Sequence, residues 1–412
     1  MAHALHDRDA RTVVLLLHRA TGLTHEALAA LCGLTQSTIT RALAGQGLTR
    51  PDVITRVLTA LGAPPTTSSP AAGPRPRPTS TRWEQRLGQD ATTTLEQVRA
   101  LVSDAAPEQA VDLLEADVHR LCSTYVHTPL TELYPHIIER CRAALHLAST
   151  LTHPEQSRRA HIAATRLVGL QTHASMDAGA YTHATIQATA AQALADRVTD
   201  PGLQAWVCAL HSLIAYWDSR PDDALRAAEA GLAHSATDSN LTRLHALRAR
   251  AAAALGDGRT TREAIAAAED HNGQMVLPGV LGFPQAKTHT YAGTALLALN
   301  TPAERRLAIA HTERAITLYT GPTCSTGDLL AARLDLATAH LRNHDPDGAL
   351  EQIDIICASP PEQRTASITQ RARRLIPLTH SLHTPPVREI RDRLAAFTPT
   401  PTPAGHSPNA GR

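Results

Sequence analysis

Aromatic residues are scarce in this sequence and make up only 3% of its 412 residues. Apolar residues still account for 43% of the chain, so its cores must be built mainly from Ala, Leu, Val and Ile. Ala and Leu favour helices, whereas the aromatic residues that favour strands are nearly missing. The composition therefore predicts an all-α protein, and its length predicts two or more domains.

Lysine is almost absent as well, because Lys287 is the only one, and the formal net charge is +1. The chain as a whole is therefore not a polycation. The six cysteines form no CxxC pair and show no zinc-finger spacing, which predicts reduced thiols. We find no signal peptide and no apolar run long enough to span a bilayer, so we expect a cytoplasmic protein without a membrane partner.

Enzyme signatures are also missing from the sequence. There is no Gly-x-Ser-x-Gly and no His-Glu-x-x-His, and residues 256–261 lack the lysine and the spacing of a phosphate-binding loop. His340 and His344 are spaced as neighbours on a helix, but no third ligand can be assigned to them. The sequence therefore predicts no enzyme, no catalytic residue, no cofactor and no metal site.

Prolines mark the clearest boundary in the chain. Six of them fall within residues 63–81 together with Ser and Thr, a composition typical of a semi-extended linker. Arg75 and Arg77 in this linker either contact DNA phosphates or are simply solvated. We predict a helix-turn-helix DNA-binding domain at residues 1–62, a linker at 63–82, an all-helical domain at 83–397 and a disordered tail at 398–412.

The long second region has the pattern of consecutive helices. Apolar residues recur at spacings of three and four, and prolines with neighbouring polar caps separate the segments. A weak repeat of 40 to 44 residues aligns Ala224, Ala264, Ala308 and Ala349, each placed early in the second helix of a pair. This repeat predicts degenerate tetratricopeptide-like hairpins stacked into an α-solenoid.

Other features of this region leave alternatives open. Residues 278–284 are apolar and rich in Gly and Pro, and they are interpreted either as a loop lining a cleft or as a buried connector. Trp206 lies at a core-like spacing on its helix, whereas the place of Trp217 is left open.

The first 62 residues carry the most specific pattern. Residues 8–20 predict a first helix, Thr24 caps a short second helix, and Gly33 supplies the positive φ of a tight turn. Thr35 then caps a third helix that ends at Gly45, and Pro51 opens a fourth. The inward-facing residues of that fourth helix are Val53, Ile54, Val57, Leu58 and Leu61.

The third helix separates an apolar face from a polar one. We expect its apolar face, Ile39, Ala42 and Leu43, to pack on Leu17, Leu28 and Leu31. Its polar face consists of Gln36, Ser37, Thr40 and Arg41. Gln pairs well with adenine, Arg with guanine, and Ser or Thr with a base or a phosphate. This face therefore suits a helix that reads the major groove of double-stranded DNA.

Residues 24–45, with the sequence THEALAALCGLTQSTITRALAG, resemble the core helix-turn-helix of the lambda-repressor-like (XRE) family. By this resemblance Gln36, Ser37 and Arg41 face bases and His25 faces a phosphate. The net charge of this domain is only +2, which predicts weak DNA binding by one copy and favours a homodimer on a two-fold operator.

The combination of such a head with a proline-rich linker and degenerate helical repeats resembles a broad class of actinobacterial regulators. That resemblance implies a sequence-specific transcription regulator whose repeat domain dimerises and senses a small-molecule or peptide ligand. The alternative is an adaptor that does not bind DNA and uses its helical repeats for protein contacts.

Overall fold

A computed structural model of the chain describes residues 9–44, 48, 51–61, 93–94, 107–234, 238–271, 279–319, 325–380 and 384–398. The predicted linker at 63–82, with Arg75 and Arg77, lies outside the described residues. So do Gly45 and, except for Thr398, the predicted tail.

The described residues are helical and contain no strand, which confirms the predicted all-α class. The four helices before the predicted linker are α1 Ala10–Thr21, α2 His25–Cys32, α3 Gln36–Leu43 and α4 Pro51–Ala60. The helices that follow are α5 Pro107–Thr124, α6 Leu130–Thr150, α7 Pro154–Asp177, α8 Tyr181–Ala195, α9 Pro201–Trp217, α10 Pro221–Leu232, α11 Ser239–Ala254, α12 Gly258–Asp270, α13 Gln285–Leu299, α14 Pro302–Leu318, α15 Thr326–Arg342, α16 Pro346–Cys357, α17 Ala366–Leu375 and α18 Pro385–Phe397. None of these helices is both long and apolar enough to cross a bilayer.

Proline sets the start of many helices, as the sequence predicts. Proline occupies the first turn of α7, α9, α10, α14 and α16, where its missing N–H is not needed. A polar cap precedes several of these starts: the Asp200 carboxylate accepts a hydrogen bond from the Leu203 N–H at 2.9 Å. The positions of the prolines therefore define where the helices begin.

The chain forms two compact units. The first comprises residues 1–65, 340–359 and 368–412, and the second comprises residues 66–339 and 360–367. The first unit therefore contains the four N-terminal helices together with α16 and α18, which pack on each other.

The second unit is built from helical hairpins. Helices α9 and α10, α11 and α12, and α13 and α14 pack as pairs. Ala224 and Ala308 lie in the first half of the second helix of their pairs, as predicted, whereas Ala264 lies at the middle of its helix; all three are fully buried. Ser212, twelve residues before Ala224, donates a hydrogen bond to the Ala224 carbonyl at 2.8 Å. Small residues at these positions let two helices approach closely, which confirms the predicted helical-hairpin solenoid.

Helices at the beginning of this unit share one hydrophobic core with α9. Helices α6, α7 and α8 pack in sequence, and Leu167, Leu170 and Trp206 belong to one buried cluster. A Cβ on Gly169 would lie 2.2 Å from the Trp206 ring, so glycine permits this close approach. Trp206 is a core residue as predicted, and Trp217 is buried too.

The described part of the segment 278–284 is a buried connector. Val280, Leu281 and Phe283 are buried, and Gly279–Leu281 forms a turn of 3-10 helix. Arg243 donates hydrogen bonds to the carbonyls of Val280, Leu281 and Gly282 at 2.8–3.1 Å. Of the two interpretations that the sequence leaves open, the structure supports the connector.

Candidate nucleic-acid interface

Threonine caps and a glycine turn position helix α3. The Thr24 hydroxyl accepts a hydrogen bond from the Ala27 N–H at 3.2 Å, and the Thr35 hydroxyl accepts one from the Thr38 N–H at 3.3 Å. Between α2 and α3, Gly33 has a φ of 65°, in the left-handed region that glycine adopts without strain. The predicted caps and turn are therefore confirmed, and they fix the direction in which α3 leaves α2.

One small core holds α1, α2, α3 and α4 together. Leu28, Ile39 and Ala42 are buried in it, and Leu17 and Leu43 pack against it, as expected. The prediction for Leu31 is wrong, because its side chain is 45% exposed. The residues of α2 that face the core are Leu28, Ala29 and Cys32, and Leu31 lies about 110° around the helix from the middle of that face. The core also contains Val53, Val57 and Leu58 of α4.

The polar face of α3 is only partly exposed. Gln36 and Thr40 are exposed, as the prediction requires, whereas Ser37 and Arg41 are half-buried. Thr38, which the sequence analysis did not single out, is buried. Two of the four predicted reading positions are therefore directly accessible.

His25 and Thr40 are brought together although fifteen residues separate them. The Thr40 hydroxyl donates to the Gln36 carbonyl at 3.0 Å, and the His25 Nδ1 lies 3.0 Å from the same hydroxyl oxygen. Since the hydroxyl proton is already used, His25 is the donor in this second bond. This bond connects the start of α2 to the exposed face of α3.

Arg41 is held by acidic residues that are distant in sequence but belong to the same compact unit. Its Nη2 lies 3.0 Å from the Asp345 carboxylate, and its Nη1 lies 4.0 Å from the Glu351 carboxylate. The hydroxyls of Thr35 and Thr38 also donate to Asp345, at 3.4 and 3.3 Å. The polar face of α3 is therefore engaged on one side by the beginning of α16.

Asp345 is well suited to hold a cation. It caps α16 by accepting the Gly348 N–H at 3.1 Å, and the His340 Nδ1 lies 2.9 Å from its carboxylate. Burial by itself would raise the pKa of the Asp345 carboxyl. The His340 hydrogen bond, the Arg41 charge and the Gly348 N–H outweigh that effect and hold the pKa well below its ordinary value. The Asp345 carboxylate is therefore ionised at neutral pH.

No sequence signal indicated that Asp345 and Glu351 would meet α3. The segment Asp345–Gly348 has the ordinary pattern of a capped helix start, and the capping role is confirmed. Its contact with Thr35 joins residues 310 positions apart, which no local pattern encodes.

A family model described as a helix-turn-helix domain matches residues 14–69. The match covers α2, the Gly33 turn and α3, together with most of α1 and all of α4. The N-terminal part of the chain is thus a helix-turn-helix domain.

The crystal structure of the yeast Tom70 resembles this chain at a TM-score of 0.41 and 12% identity, covering 95% of this chain and 90% of that chain. No curated protein matches the chain in sequence.

The helical repeats contain an open pocket of about 570 Å³ bordered by α6, α7 and α8. Most of its lining is apolar and includes Leu130, Tyr134 and Ile186. Gln187 also lines it, and the buried Gln187 Oε1 has no hydrogen-bond partner among the described residues. Pockets of this size hold small molecules, and an unsatisfied amide oxygen suits a ligand that donates a hydrogen bond.

Proposed function

We propose that this protein is a sequence-specific DNA-binding transcription regulator of the lambda-repressor-like (XRE) type, in which α3 enters the major groove. The observation that supports this most directly is the capped helix-turn-helix of α2 and α3, with Gln36 and Thr40 exposed on its outer face. The match of this segment to a helix-turn-helix domain supports the proposal. The resemblance of the helix-turn-helix head, proline-rich linker and helical repeats to actinobacterial regulators also supports it.

The contacts follow from the chemistry of each side chain. Gln36 pairs with adenine, Arg41 with guanine, and Ser37 and Thr40 with a base edge or a phosphate. His25, hydrogen-bonded to Thr40 at the edge of this face, faces a phosphate and donates to it when both ring nitrogens carry a proton.

Arg41 must leave its acidic partners before it reaches a base. Its side chain is only 21% exposed and its Nη2 lies 3.0 Å from the Asp345 carboxylate, so it must turn outward before its guanidinium reaches a guanine edge. The described arrangement is therefore a state not engaged with DNA, and binding of α3 to DNA competes with the contact between α3 and α16.

The helical repeats supply dimerisation and ligand sensing in this proposal. A domain with a net charge of +2 gains affinity when two copies bind one two-fold operator. The pocket at Tyr134 and Gln187 is the site for a small molecule or the apolar side chain of a peptide. We place this regulator in the cytoplasm, where it meets DNA.

Selection of DNA fragments tests the proposal. Purified full-length protein is incubated with sheared DNA from its source organism, and bound fragments are sequenced for the wild type, Gln36→Ala and Arg41→Ala. We expect the wild type to enrich a shared motif and each variant to lose the preference at one base pair of it, a discrimination penalty of about 1–3 kcal/mol each. A folded wild type that enriches no motif would overturn the proposal.

The adaptor remains the second candidate, and the pairing of Arg41 with Asp345 and Glu351 is the observation that favours it. If that contact is a permanent part of the fold, α3 is unavailable to DNA. The Asp345→Asn variant separates the two candidates in the same selection: a regulator enriches its motif more strongly once Arg41 is released, whereas an adaptor still enriches none.

A further inference from the structure

Three metal-ligating side chains from three different helices meet in the second unit. Glu269 lies at the end of α12, His289 lies near the start of α13, and His311 lies in the middle of α14. Both histidines are half-buried, and Glu269 is exposed. The part of the chain that the structure describes contains one such trio.

The distances between the ligand atoms match a small ion. The two Nδ1 atoms are 3.0 Å apart, and each lies 3.8 Å from the Glu269 Oε1. Tetrahedral zinc with bonds near 2.1 Å separates its ligand atoms by about 3.4 Å. The three atoms therefore need to move by less than about 0.5 Å to share one ion.

The orientation of the two imidazoles also favours ligation. Their planes are inclined by 42°, so the rings do not stack, and their Nδ1 atoms face each other. At this distance one Nδ1 donates its proton to the other. When an ion binds, the donor ring moves that proton to Nε2, both Nδ1 lone pairs face the metal, and no net proton is released.

We propose that Glu269, His289 and His311 form a binding site for Zn²⁺ or a similar late transition-metal ion. Two imidazoles and one carboxylate are typical zinc ligands, and they select against Mg²⁺, which prefers oxygen ligands only. Three protein ligands leave the fourth position open to water or to another ligand. The site joins α12 of one hairpin to α13 and α14 of the next, so the ion fastens two consecutive repeats. The exposed Arg314 is close enough to influence His289, but solvent screens its repulsion of the ion.

Isothermal titration of metal-free full-length protein with Zn²⁺ tests this site. The variants are His289→Gln and His311→Gln. The matched control is His271→Gln, because His271 pairs with His245 in a stacked geometry, with centroids 5.5 Å apart and planes inclined by 13°, that does not direct two nitrogens at one ion.

We expect the wild type and His271→Gln to bind one Zn²⁺ with the same affinity. The affinity of each ligand variant for Zn²⁺ should fall more than about tenfold, since the loss of even an outer-shell partner of a metal site lowers metal affinity 10–100-fold. Visible absorption of bound Co²⁺ reports four-coordination directly and should vanish in both ligand variants, whose circular dichroism without metal confirms that they fold. The proposal is overturned if all four proteins bind alike, if none binds, or if only His271→Gln loses affinity.

Discussion

Arg41 has one set of partners in the structure and another in the proposed complex with DNA. Asp345 holds it by a 3.0 Å ion pair, and the side chain is only 21% exposed. A guanine base offers two acceptors to the same guanidinium. If α3 binds DNA as proposed, releasing Arg41 from Asp345 subtracts from the affinity for DNA, so a change at Asp345, far from α3 in sequence, is expected to alter DNA binding.

The Asp345→Asn variant is expected to bind DNA more tightly than the wild type. Asparagine still caps α16 but carries no charge, so Arg41 loses its main ionic partner. The Asp345 side chain is only 2% exposed, so this pair is worth more than the roughly 1 kcal/mol of a surface pair, and we expect a gain of more than about fivefold in Kd. Fluorescence anisotropy on a selected operator measures this gain.

The matched control for this variant is Asp257→Asn. Asp257 caps α12 in the same manner, by accepting the Thr260 N–H at 3.0 Å, but it belongs to the second unit. It should leave the affinity unchanged. Unchanged or weaker binding by Asp345→Asn would show that Asp345 does not restrain Arg41.

Asp177 makes the stability of the second unit depend on pH. Burial raises the pKa of its carboxyl to about 6, although Tyr125 donates a hydrogen bond to it at 2.8 Å. A raised carboxyl pKa stabilises the fold at low pH, and this contribution is lost as pH rises through 6. Asp177→Asn keeps an acceptor for Tyr125 and removes the ionisation.

Urea unfolding of the wild type and Asp177→Asn at pH 5 and pH 8 measures this effect. From pH 5 to pH 8, the free energy of unfolding of the variant should rise by about 1 kcal/mol relative to that of the wild type. The nearby His173, whose pKa burial lowers to about 3, contributes an opposite trend that is common to both proteins. If the two proteins differed in free energy of unfolding by the same amount at both pH values, Asp177 would not be the source of this pH dependence.

Local patterns in the sequence predicted the helices of the helix-turn-helix, their caps and their turn. Thr24, Gly33 and Thr35 act within three residues of where they stand in the sequence, so their roles are visible there. The exposure of Leu31 was not predictable, because the side of α2 that faces the core is set by the packing of whole helices.

Contacts between distant elements were not predictable from the sequence. Asp345 reaches Thr35 across 310 positions, and Glu269, His289 and His311 meet only because three helices pack together. In the sequence, His340 and His344 have the spacing of two ligands on one helix, and they were predicted not to bind metal. In the structure, His340 contacts Asp345.

The turn between α2 and α3 should be sensitive to Gly33→Ala. Nothing lies closer than 3.6 Å to an added Cβ, so the penalty is conformational and amounts to about 1–2 kcal/mol. Hydrogen exchange of peptides covering residues 25–43 should show faster exchange in the variant. Gly327→Ala, within α15 and with open space around it, is the control and should not change exchange there. Equal protection in wild type and Gly33→Ala would contradict the requirement for a left-handed residue.

At the scale of the whole molecule, the low charge of the DNA-binding domain points to binding by two copies. A dimer places its reading helices about one DNA turn apart. Inserting about 5 base pairs between the half-sites of a selected operator turns one of them to the opposite side of the duplex. We expect the affinity of the full-length protein for this operator to fall more than about tenfold, while its affinity for an isolated half-site is unchanged. An operator that tolerates this insertion would contradict binding as a rigid dimer.

The central claim is that α3 reads DNA sequence, and base-resolved binding by Gln36→Ala tests it most directly. Anisotropy titrations would use the selected operator and its single-base variants, with His25→Ala as the control for a phosphate contact. Gln36→Ala should lose about 1–3 kcal/mol of discrimination at one base pair and little elsewhere, whereas His25→Ala should weaken binding to all sequences alike. If Gln36→Ala discriminates every base pair as the wild type does, α3 does not read DNA in the proposed way.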